Sequence, residues 1–83
     1  MLLTVDDWIH FAESGNQQRI RDLEGQLYQG WIMEITDKAL LISTGEGERG
    51  VDHWLSFHNI DQTALWYFDS QQREWTQYQC QHD

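Results

Sequence analysis

Positive charge, cysteine and long apolar runs are all scarce in this chain, and each scarcity removes a class of function. Five Lys and Arg stand against fourteen Asp and Glu, a formal net charge of −9 over 83 residues. That balance favours solubility and opposes non-specific attraction to nucleic acid or to an anionic membrane. A single cysteine, Cys80, excludes an internal disulfide and points to a cytoplasmic setting. No apolar stretch reaches the roughly 18 residues that a membrane helix needs. Met1-Leu2-Leu3 is followed at once by Asp6 and Asp7, so neither a membrane span nor a signal peptide is expected. Internal repeats, Pro-rich linkers and low-complexity blocks are missing as well. A chain this short makes one domain with a modest core, which association with further copies would help to stabilise.

Motifs that carry chemistry are equally thin. There is no G-x-S-x-G and no phosphate-binding loop, and Cys80 has no local activating partner. His53 and His58 lie five apart on an expected strand, so they face opposite sides and cannot share a metal ion. Cys80-x-His82 sits in a terminal tail. Asp6 with Asp7 fits a helix start, and Glu34 with Asp37 fits a turn. The expectation is a protein without catalytic activity, cofactor or metal.

Aromatic residues are what the chain does have, with five Trp among them. Each is a large apolar surface carrying one N–H that needs a partner, so some belong at an interface. Thr4-Val5-Asp6-Asp7-Trp8 predicts a helix start: Thr4 caps, Asp7 completes a capping box, and Leu3 and Trp8 occupy the staple positions. Val5, Trp8, Ile9 and Ala12 then form one apolar stripe, and Gly15-Asn16 ends the helix. Gln17 to Asp22 either prolongs the helix or forms a first edge strand.

Gly25 to Asp37 predicts one long strand bent at Gly30, since a glycine inside a strand marks a bulge or sharp bend. Alternation faces Leu27, Trp31, Met33 and Ile35 one way, with Tyr28 and Ile32 the other. Ala39 to Thr44 is a short buried strand, and the Gly-rich segment from Gly45 to Gly50 is an exposed loop. Val51 to Ile60 is a strand with Val51, His53, Leu55 and Phe57 on one face. Thr63 to Phe68 is apolar on both faces, and Arg73 to Tyr78 can return as a final strand. One helix followed by five or six short strands predicts a mainly β, strongly bent small barrel. This order assigns a helix to about residues 4–14, the barrel to about 17–78 and a frayed tail to 79–83.

Gly25-x-Leu27-Tyr28-x-Gly30-x-Ile32-x-x-x-x-Asp37 resembles the first signature of the Sm/LSm proteins, the group that includes bacterial Hfq. Leu55-x-Phe57-x-x-Ile60 is similar to the second, and the likeness covers roughly residues 4–68. An unrelated SH3-like barrel would give the same order of elements. The resemblance implies a homo-oligomeric ring, with Trp54, Leu65, Trp66, Tyr67 and Phe68 at the interface. Alternatively, Arg73 to Tyr78 folds back and covers that edge within one chain. The resemblance also implies single-stranded RNA or DNA bound at a pore, with Asp37 matching the family's loop aspartate. Leu40 stands where the family's contact asparagine belongs, and His58-Asn59 replaces its arginine-glycine pair. That leaves Lys38, His58 and Asn59 to touch phosphate or base. A rival reading is an acidic protein-interaction module, or a mimic of nucleic-acid charge, that engages a basic partner through Glu46, Glu48 and Asp52.

Overall fold

A computed structural model describes residues 3–45 and 50–79. The helix forms as the sequence dictates. α1 spans Val5–Glu13, and its capping box is complete: Asp7 N–H donates to Thr4 Oγ1 at 3.2 Å, and Thr4 N–H donates to Asp7 Oδ2 at 2.8 Å. Each bond satisfies a backbone donor that the first helical turn leaves without an internal partner.

Six strands follow: β1 Gln18–Asp22, β2 Leu27–Ile35, β3 Ala39–Thr44, β4 Val51–Ser56, β5 Ile60–Asp69 and β6 Glu74–Gln77. They form one antiparallel sheet in the order β4-β3-β2-β1-β5-β6. Gln17 to Asp22 is therefore neither helix nor edge; β1 is an interior strand, paired with β2 on one side and β5 on the other. The β1–β2 turn is pinned by Asp22, whose buried carboxylate accepts from Glu24 N–H at 2.9 Å and from Gln26 N–H at 2.8 Å.

The closed barrel expected from the sequence is not formed. The sheet is open, ending on β4 at one edge and β6 at the other. Within the chain β5 pairs with β1 on one side, and on the other β6 takes Trp66–Asp69, so β5 does not close onto β4. This fold-back of β6 covers the Trp66–Asp69 part of the edge on which the ring depended. The core is covered by α1 instead. Trp8 and Phe11 are fully buried, together with Ile20, Leu40, Ile42, Leu55, Ile60 and Leu65. Trp8 stacks on Phe57 at 4.8 Å between ring centroids, and its indole N–H is buried without a hydrogen-bond partner among the described residues.

Two local departures from the expected pattern shape the surface of the sheet. The strand expected through Ile60 stops at Ser56, where a 3-10 turn over Phe57–Asn59 begins and Phe57 lies against Trp8. The irregularity in β2 also falls later than Gly30. Pairing with β3 runs unbroken through Gly30, Trp31 and Ile32 and then shifts before Glu34, which places the bulge at Met33. Gly30 serves close approach rather than a bend, since a Cβ there would overlap the Ser43 carbonyl oxygen. The bulge reverses the alternation beyond it, so Ile35 joins Tyr28 and Ile32 in packing against the core.

Candidate functional site

The apolar stripe of α1 is wider than the core can take. Trp8 and Phe11 are the helix residues fully buried in the sheet, whereas Ile9, on the shoulder of that stripe, is 38% exposed. Opposite this shoulder lies the bulged end of β2, with Met33 64% exposed. Between the two runs a groove of about 290 Å³, lined by Ile9, Ala12, Glu13, Ile32, Met33, Glu34 and Ile35. Its floor is apolar and its charged groups are two carboxylates, one from the last turn of α1 and one from just after the bulge. Asp6 lies on the same helix face as Ile9 and Glu13, at the i, i+3, i+7 spacing, and extends the acidic rim toward the helix start. An exposed apolar floor with charge of one sign at its margin marks a surface that recognises something apolar carrying the opposite charge.

The residues expected to form a nucleic-acid site are only partly brought together. Asp37, Lys38 and His58 line a smaller depression of about 160 Å³ with Leu3, Phe57 and Gln62. Asp37 and Lys38 form the tip of the β2–β3 turn, which Thr36 holds by accepting at Oγ1 from Lys38 N–H at 3.1 Å and Ala39 N–H at 3.0 Å. Asn59 is exposed, and its carbonyl accepts from Leu23 N–H at 2.8 Å. Without the closed barrel there is no basis for a ring in which copies of Lys38 and His58 converge on a pore, and the expected nucleic-acid role falls with it.

The expected interface residues are scattered too. Leu65 is 2% exposed and belongs to the chain's own core, while Trp66, Tyr67 and Phe68 are partly covered on an interior strand. Trp54, on the edge strand β4, is 55% exposed. His53 packs edge-on to Tyr28 at 5.0 Å. Glu46, Glu48, Cys80 and His82 lie outside the described residues.

No group of His, Cys, Asp and Glu among the described residues is placed to hold a metal ion, and no helix among them is long and apolar enough to cross a membrane. No family model matches the sequence, and neither a curated protein nor a solved structure matches it. The Sm/LSm resemblance thus fails on the architecture and finds no family support. Ile9, Glu13, Met33 and Glu34 had no place in the sequence-based site. For Ile9 and Glu13 the signal was helical geometry, since Phe11 shares a face with Trp8 and moves the centre of burial away from Ile9; for Met33 and Glu34, placed by the bulge, the sequence carried none.

Proposed function

We propose that this chain is a non-catalytic interaction module that captures a basic, apolar segment of a partner protein in the groove between α1 and β2. The observation that carries this reading is the pairing of an exposed Ile9–Met33 floor with the Glu13 and Glu34 carboxylates. Methionine suits such a surface, because its unbranched, polarisable side chain adapts to differently shaped apolar partners. Covering Met33 and Ile9 offers at most about 1.5–3 kcal/mol each, and the rim carboxylates supply selection by sign and a faster encounter. A formal charge of −9 favours a cationic partner over long range and disfavours a second copy of the same chain.

A charge-reversal experiment tests the reading. A short peptide of alternating leucine and lysine should bind the native chain, with affinity falling as salt rises. The double variant Glu13→Lys/Glu34→Lys should lose that peptide and gain a leucine–glutamate counterpart. Equal affinity of native and variant chains for the lysine peptide would exclude the groove as the site.

A further inference from the structure

The sheet face turned away from α1 carries two neighbouring arginines. β1 alternates buried Gln18, Ile20 and Asp22 with outward Arg19 and Arg21, so two of the chain's five Lys and Arg stand side by side on that face. Next to them the β1–β5 ladder breaks. Pairing passes from Ile20↔Leu65 to Asp22↔Ile60, so β5 spends more residues than β1 over the same distance and its surplus loops outward. Asp61 staples this loop, accepting at Oδ1 from Thr63 N–H at 3.0 Å and Thr63 Oγ1 at 2.6 Å. The result is a cleft of about 340 Å³ lined by Arg19, Arg21, Leu27, Asp61, Ala64 and Trp66. That volume is at the lower end of small-molecule pockets, about 300–1,000 Å³.

We infer that this cleft binds the carboxylate of a small ligand or side chain whose body is apolar. The two arginines divide the work. Arg19 is fixed, donating from Nε and Nη2 to Gln29 Oε1 at 3.1 and 2.8 Å while its guanidinium carbon lies 4.1 Å from the Trp75 ring centroid. It supplies a held positive charge. Arg21 is exposed, and its planar fork matches a carboxylate in two parallel hydrogen bonds. Leu27, 45% exposed, together with Ala64 and Trp66 gives the ligand's body an apolar wall. Asp61 selects among anions. Its carboxyl is held below the usual range by the Thr63 hydrogen bonds and, to a lesser degree, by Arg21, so it stays ionised at neutral pH. A monoanionic carboxylate tolerates that neighbour better than a phosphate dianion does.

Titration of the isotope-labelled chain with benzoate, phenyl phosphate and benzyl alcohol, followed by nuclear magnetic resonance, tests the assignment. Benzoate should shift the Trp66 indole and Arg21 guanidinium signals saturably. Arg21→Gln should weaken that binding about tenfold or more, the usual consequence of losing a charge-assisted hydrogen bond. Asp61→Asn should tighten it, and Lys38→Gln should leave it unchanged. Benzyl alcohol binding as well as benzoate, phenyl phosphate binding more tightly than benzoate, or no saturable shift would each overturn the inference.

Discussion

Gly30→Ala offers the sharpest test of how the sheet is assembled. An added Cβ at this position overlaps the Ser43 carbonyl oxygen and comes within 2.9 Å of the Ser43 carbonyl carbon and 3.1 Å of Thr44 Cα. All three are backbone atoms of β3, so no flexible side chain can swing aside, and β2 and β3 must separate locally. Overpacking of this kind costs about 1–3 kcal/mol. A domain of this length holds a net stability of about 4–12 kcal/mol in total, so the loss is a substantial fraction. It should lower the melting temperature by about 4–8 °C for each kcal/mol. Urea unfolding followed by circular dichroism should show an earlier midpoint with an unchanged slope. Amide exchange should quicken first around Trp31 and Ser43, which face each other across the ladder. Gly25→Ala is the comparator: nothing lies within 4 Å of its Cβ position, but its φ of +92° strains any other residue. That variant should lose about 1–2 kcal/mol, with the disturbance confined to the β1–β2 turn. Gly30→Ala with the urea midpoint of the native chain would refute the close-approach reasoning.

Other perturbations probe the core, the helix start and the β5 loop. Trp8→Ala should destabilise the chain by about 3–5 kcal/mol, whereas Trp8→Phe should cost distinctly less because it also removes a buried N–H that lacks a partner; urea midpoints compare the two. Thr4→Ala deletes one half of the capping box and should cost about 0.5–2 kcal/mol by the same measurement. The Asp61 carboxyl should titrate below an ordinary aspartate, and Thr63→Val should return it upward, as read from its carboxyl carbon resonance. Because folding depresses that pKa, its contribution to stability is present above the ordinary aspartate range, about pH 4, and is lost as pH falls through the lower folded value.

Local chemistry made much of the fold legible in the sequence. Thr4 and Asp7 announced the helix start because a capping box is a reciprocal bond between two residue types at fixed spacing. The alternation of β4 was equally plain, with Leu55 buried and Trp54 outward. What could not be read depended on pairing between distant segments. A bulge adds one residue without demanding a residue type, so nothing at Met33 signalled that Ile35 would change faces. The apolar run in β5 suggested a neighbour because its second face needed cover. Much of that cover comes from within the chain: β6 pairs alongside, and Trp75 meets Phe68 edge-on at 5.5 Å. The groove was hidden for a related reason. Val5, Trp8, Ile9 and Ala12 share a stripe, but the sheet is narrow enough to bury Trp8 and Phe11 while leaving Ile9 at the margin.

Methyl-resolved resonance mapping of the native chain with the leucine–lysine peptide addresses the proposed role most directly. Shifts should concentrate on Ile9, Ala12, Met33 and Ile35, saturating together and shrinking at high salt. Shifts centred on Trp54 or on the Arg21 cleft, with the Ile9 and Met33 methyls unmoved, would contradict a partner-binding groove between α1 and β2.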